Sequence, residues 1–159
     1  MMTAADMASA LDEIQAKLAA AHLVAEWFHG IDSRDLDRAM AAWHPLGVSS
    51  FTPGPVLEGG SAIRAWLENA WAGYAEVYHW VTNLSLTVRD GGTMRGEGRI
   101  TALCVTRSGT AIREVGTIAL DYTRAEGAWL ISREAVTIQR RESARPARHQ
   151  ASGTRRDEG

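Results

Sequence analysis

The stretch from Tyr74 to Arg89, YAEVYHWVTNLSLTVR, decides the fold. It is rich in β-branched and aromatic residues and alternates in polarity, so it reads as a long strand. Tyr78, Trp80, Leu84, Leu86 and Val88 fall on one face; His79, Val81, Asn83, Ser85 and Thr87 fall on the other. Three more β-rich runs follow, at about Met94–Thr106, Ala111–Thr123 and Trp129–Gln139. Asp90-Gly91-Gly92, Arg107-Ser108-Gly109 and Arg124-Ala125-Glu126-Gly127 separate them, and glycine there supplies the positive φ that hairpin turns need. Four strands joined this way make an antiparallel meander.

Upstream of Tyr74 the periodicity is helical. Leu11, Ile14, Leu18, Ala21, Ala25 and Phe28 recur at three- and four-residue spacing and mark one apolar face. Gly30 suits a helix stop. Asp32 or Ser33 then serves as cap for a second helix carrying Leu36, Met40 and Trp43, which Pro45 and Gly47 end. Val48 to Phe51 reads as a short strand, and Ser61 as the cap of a third helix with Ile63, Trp66, Leu67, Ala70 and Trp71 inward. Helices first and a meander afterwards predict an α+β fold rather than alternating βαβ units. If the helices cover the mixed face of the first long strand around a pocket, its apolar face needs another copy of the chain to bury it.

The 159 residues are enough for one domain, and 45% hydrophobic against 23% charged residues is a globular composition. The net charge of −2 lacks the basic surplus of a duplex-binding protein, so nucleic acid is not expected as a partner. No apolar run approaches the length of a membrane span. The opening MMTAADMASALDEIQ lacks the basic-then-apolar layout of a secretory signal, and the expectation is a cytoplasmic protein. The single cysteine, Cys104, excludes an internal disulfide and reads as a small buried residue. Charge is uneven: residues 140–159 carry six Arg against Glu142, Asp157 and Glu158. The division is therefore a domain over 1–139 and an Arg-rich tail over 140–159.

No phosphate-cradling loop, dinucleotide fingerprint or nucleophile elbow is present, and no cofactor is expected. His22, Glu26 and His29 share a helix face, a spacing that suits a solvated polar face better than a metal site. His44 stands at a helix end, where it complements the dipole. Asp32 lies at the junction of the first two helices, as a cap or as a carboxylate facing the space above the sheet. His79 lies on the mixed face of the first long strand, as a packed histidine or as a base. Arg133, in the middle of the last strand, needs a carboxylate, a ligand or solvent.

Three segments carry a resemblance: HGIDSRDLDRAMAAWHPLGV (29–48), YHWVTNLSL (78–86) and LDYTRAEGAWLISR (120–133). With them the chain from about Leu11 to Arg141 resembles the SnoaL-like branch of the nuclear transport factor 2-like superfamily. Its pattern is similar to those of scytalone dehydratase, bile-acid dehydratase and hexachlorocyclohexane dehydrochlorinase. The resemblance implies three N-terminal helices on a strongly curved antiparallel sheet, a cone with an internal pocket, assembled as a trimer or dimer. It implies a catalytic pair of Asp32 and His79, with Arg133 stabilising substrate or leaving group. It places Trp27, Phe51, Tyr78, Asn83 and Tyr122 about the substrate.

The expected function is a cofactor-independent lyase, a dehydratase acting on a hydrophobic polyketide-, steroid- or terpenoid-like carbonyl compound. An isomerase or cyclase using the same pair, or a non-catalytic binding subunit, are the alternatives. The chain departs from the eliminating relatives in having Trp27 where they place a Tyr or Lys. An indole N–H donates a hydrogen bond but is no general acid. That leaves His79 itself, His29, His44, Tyr78 or Tyr122 to supply the proton.

Overall fold

The computed structural model describes residues 2–89 and 91–145. Three helices, α1 (Ala4–Ser33), α2 (Leu36–Ala41) and α3 (Gly60–Gly73), interleave with six strands. These are β1 (Trp43–Thr52), β2 (Val56–Glu58), β3 (Tyr74–Arg89), β4 (Thr93–Thr106), β5 (Ala111–Ala125) and β6 (Ala128–Ala144). The order across the one sheet is β2-β1-β6-β5-β4-β3. The meander β3 to β6 is antiparallel, but β1 runs parallel to β6, so the sheet is mixed. The outcome is the expected α+β cone of helices on a sheet, left open between β2 and β3. Strand β6 runs through 140–144, paired to β5 up to Ala111 and Ala144, so the first residues of the Arg-rich tail are strand. Residues 146–159 of that tail lie outside the described residues.

α1 is longer than the sequence periodicity implies, because Thr3 and Asp6 close a capping box at its start. It also packs on a different face. Leu11, Ile14 and Leu18 are exposed, Leu18 at 67%, whereas Ala16, Ala20, Val24, Trp27, Phe28 and Ile31 enter the core. Small side chains at Ala16 and Ala20 let the helix approach its neighbours closely; side-chain size alone points to the wrong stripe. Gly30 is inside α1, not past it. A Cβ there would clash with the Ala39 backbone, so glycine is what lets α2 press against α1. Among the described residues no helix is long and apolar enough to cross a membrane.

Two bulges redirect side chains. On β3, Thr82 pairs with Arg99 and Ser85 with Glu97, leaving one extra residue on β3. Asn83 takes up the turn with φ 54°, a left-handed conformation that Asn adopts more readily than most residues. The slip moves Leu84, Leu86 and Val88 to the core side, while Tyr78 and Trp80 remain exposed on the outer face. The single apolar face expected for this strand is thus divided between both sides of the sheet. On β6, Asp121 of β5 pairs with Arg133 and Tyr122 with Ile131, so Ser132 is the extra residue, its hydroxyl donating to the Asp121 carbonyl at 3.0 Å. Ile131 and Glu134 therefore both point into the core, and Arg133 points out.

Candidate active site

The helices and the concave side of the sheet enclose a cavity of about 470 Å³, within the usual range for small-molecule sites. Its wall is mostly apolar and includes Phe28, Ile31, Phe51, Trp66, Ile100 and Val136. Phe51 stacks on Trp66 with ring centroids 4.7 Å apart. His79, Glu134, Glu114 and Asn69 are polar side chains on this wall. Among the described residues no Lys or Arg lines it.

Asp32 stands in the last turn of α1. The cap of α2 is Asp35, whose side chain accepts from the Arg38 N–H, and this leaves Asp32 free for another task. Its carboxylate grips His79 twice. Oδ1 lies 2.7 Å from the ring Nδ1, and Oδ2 accepts from the His79 backbone N–H at 2.9 Å. The second bond is available because β3 is the edge strand, where outward-facing N–H groups have no strand partner. Arg34, in the left-handed region at the α1 C-cap, donates to the carbonyls of Tyr74 and Ala75 and ties the helix end to the same edge. Phe28 packs on the imidazole, centroids 5.0 Å apart.

This arrangement sets the roles of the ring nitrogens. A carboxylate accepts only, so Nδ1 carries the hydrogen and Nε2 holds the free lone pair. A carboxylate at a helix C-terminus sits against the dipole, at a typical cost of about 0.3–1 kcal/mol. It stands directly against the imidazole, where a charge gained by the ring would be paired. His79 is thereby equipped to accept a proton at Nε2 and to have the resulting cation stabilised.

Glu134 is a buried residue of the cavity wall that reading the sequence missed. It is 1% exposed and fully enclosed. Trp27 Nε1 donates to its Oε1 at 2.9 Å and the Ser49 hydroxyl lies 2.7 Å from its Oε2. Ser49 stands opposite it in the parallel β1–β6 pair. Burial pushes the Glu134 carboxyl above the usual carboxylate range; the hydrogen bonds from Ser49 and Trp27 and the positive form of His79 offset this only in part. The one sequence signal was a charged pair, Arg133-Glu134, in a β-rich run. Strict alternation from Ile131 puts Arg133 inside, and the bulge at Ser132 reverses it.

The remaining expectations divide. Trp27 and Phe51 line the cavity. Arg133 does not: it is exposed on the outer side of the sheet. Tyr78 is also outside, stacked on Trp80 and bonded to Glu76. Asn83 shapes the β3 bulge and is exposed, away from the cavity wall. Tyr122 is buried in the core behind the cavity wall. Glu26, of the helical trio, is held in two hydrogen bonds by Arg38. Cys104 lines the cavity, but burial pushes its thiol up to about 11, so it is no thiolate nucleophile at neutral pH.

Comparison with known proteins adds to this geometry. The family model of the SnoaL-like domain matches residues 12–134. A hexachlorocyclohexane dehydrochlorinase (LinA) type 2 structure superposes with a TM-score of 0.81 at 20% identity, covering 90% of this chain and 98% of that one. LinA type 3 from Novosphingobium barchaimii LL02 gives a TM-score of 0.79 at 19% identity, covering 84% and 93%. A scytalone dehydratase-like protein from Novosphingobium aromaticivorans gives 0.75 at 13% identity, covering 85% and 95%. No curated protein matches the chain by sequence.

Proposed function

The chain belongs to the SnoaL-like domain family, and on that footing we propose that it is a cofactor-independent lyase of the dehydratase type. Its substrate is an uncharged hydrophobic carbonyl compound. The observation that carries this reading is the Asp32–His79 pair, 2.7 Å from oxygen to nitrogen, on the wall of an apolar cavity. The similar structures named for dehydrochlorination and for scytalone dehydration support it as relatives that eliminate a group beside a carbon-bound hydrogen.

His79 Nε2 removes a proton from carbon next to the carbonyl, where that hydrogen is acidic enough for a neutral imidazole to take. Asp32 holds the tautomer and stabilises the imidazolium. The electron pair released from the C–H bond forms the double bond as the oxygen substituent leaves. The aromatic wall holds the flat conjugated product and excludes water from the base.

The test is incubation of the purified protein with a panel of hydrophobic hydroxy ketones, followed by mass spectrometry. Loss of one water from a panel member, abolished in His79→Ala, is the expected result. Conversion without change of mass identifies an isomerase or cyclase and overturns the lyase reading. Binding without conversion identifies a carrier.

A further inference from the structure

Elimination of a hydroxyl needs an acid as well as a base, because hydroxide leaves poorly from carbon unless a proton reaches it. The acids that the sequence offers besides His79 do not reach the cavity. His29 is exposed beside Arg38. His44 accepts the Leu46 N–H through Nδ1. Tyr78 is on the outer face and Tyr122 lies behind the wall.

Glu134 shares the cavity wall with His79. Its carboxyl group is enclosed, its hydrogen-bond partners are the neutral Trp27 indole and Ser49 hydroxyl, and among the described residues no cationic side chain bonds to it. A carboxyl group so placed keeps its proton instead of bearing a buried, unpaired charge. Each of its oxygens has one hydrogen-bond partner, which leaves a further lone-pair direction for the acidic hydrogen. The other ionisable groups around it are His79 on β3, Glu114 and Tyr122 on β5, and Asp32 behind His79 on α1. Glu114 is itself paired with Arg141.

We propose that Glu134 is the general acid of this site, delivering a proton to a departing hydroxyl while His79 takes the proton from carbon. The proposal rests on the lyase reading above. The bonds balance as follows. His79 Nε2 gains the carbon-bound hydrogen, and the C–H pair becomes the second bond of the alkene. The C–O pair leaves with oxygen, and the Glu134 hydrogen completes a water molecule. The site is left as imidazolium and carboxylate, and one proton passed between them through the product water restores it. Trp27 and Ser49 are positioning residues: they orient the carboxyl group, and Trp27 thus serves proton transfer without being an acid. A substrate whose leaving group is chloride departs without a proton and has no need of Glu134.

The experiment compares Glu134→Gln with the natural chain on a β-hydroxy ketone and the β-chloro ketone of the same skeleton. Glutamine preserves shape, accepts from Trp27 and donates to Ser49. Turnover of the hydroxy ketone is expected to fall by about 10²- to 10⁴-fold, and that of the chloro ketone by less than about tenfold. Equal losses on both substrates overturn the acid role. His79→Ala is expected to abolish both reactions. If it abolishes neither, His79 is not the base; if the natural chain eliminates from neither substrate, the lyase reading itself fails, so these failures are distinct from that of the acid role. A readout that needs no substrate is the infrared C=O stretch of protonated carboxyl in the natural chain at neutral pH. Its assignment comes from the loss of that band in Glu134→Gln or, should that variant fail to fold, its shift in Glu134→Asp. Absence of a protonated carboxyl band in the natural chain overturns the proposal.

Discussion

Asp32 holds His79 at two points, taking the ring Nδ1 at 2.7 Å through one oxygen and the backbone N–H at 2.9 Å through the other. Ring and strand are therefore oriented by the same carboxylate. Asp32→Asn keeps the shape but places an N–H donor opposite Nδ1 or leaves it a weaker acceptor, and the lone pair at Nε2 is lost to the wrong tautomer. Turnover is expected to fall by on the order of 10³- to 10⁴-fold, as carboxylate-to-amide changes in His-Asp pairs do. Steady-state kcat/KM measures it; a melting temperature close to that of the natural chain shows that the loss is chemical.

Trp27→Phe removes the indole donor from Glu134 and leaves a buried carboxyl oxygen without its partner. A destabilisation of about 1–3 kcal/mol is expected from the unmade hydrogen bond, read from urea denaturation. If the unfolding midpoint is unchanged, the Trp27–Glu134 bond contributes nothing.

Glu134 also links stability to pH. Its carboxyl group titrates above the ordinary 4.5 when folded. The folded state therefore binds the proton more tightly than the unfolded one. Its contribution is fully present below the unfolded value and is lost as pH rises from there through the folded value. Glu134→Gln removes that dependence. Urea midpoints across the range from acid to mildly alkaline pH are expected to fall more steeply for the natural chain than for the variant, and identical slopes contradict the assignment.

Arg133→Ala is expected to change kcat/KM by less than about twofold and stability by no more than about 0.5 kcal/mol, as an exposed substitution does. The bulge at Ser132 turns this side chain away from the cavity. A hundredfold loss of activity places Arg133 in the site after all.

The cavity wall carries no cation among the described residues, so a naphthyl ketone is expected to bind at least tenfold more tightly than the corresponding naphthoic acid. Quenching of the cavity tryptophans, Trp27, Trp66 and Trp71, provides the measurement. Equal or reversed affinities contradict a site built for uncharged ligands.

The fold was legible in the sequence where local rules act alone. The hairpin glycines between β3, β4, β5 and β6 marked the meander to within a few residues, and the shift from helical to alternating period located Tyr74. The Asp32–His79 pair was legible through the resemblance, and Trp27 and Phe51 proved to line the cavity. What failed was parity. Alternation holds only while strands stay in register, and single-residue bulges at Asn83 and Ser132 each reversed it. The first turned Asn83 away from the cavity, and the second exchanged Arg133 for Glu134; Tyr78 lies opposite His79 by plain alternation. The parallel β1–β6 pair was equally hidden, because nothing local in Trp43–Thr52 states which strand it will join. The outward Leu11–Leu18 stripe shows the same limit for helices: periodicity identifies a face but not the neighbour it meets.

The most direct test is the pre-steady-state rate of water loss from a hydrophobic β-hydroxy ketone by the natural chain and by His79→Ala. The base role predicts that the natural chain turns the ketone over and that the variant, still folded, loses at least about 10²-fold. A folded His79→Ala variant that dehydrates the ketone at close to the natural rate contradicts the Asp32–His79 mechanism.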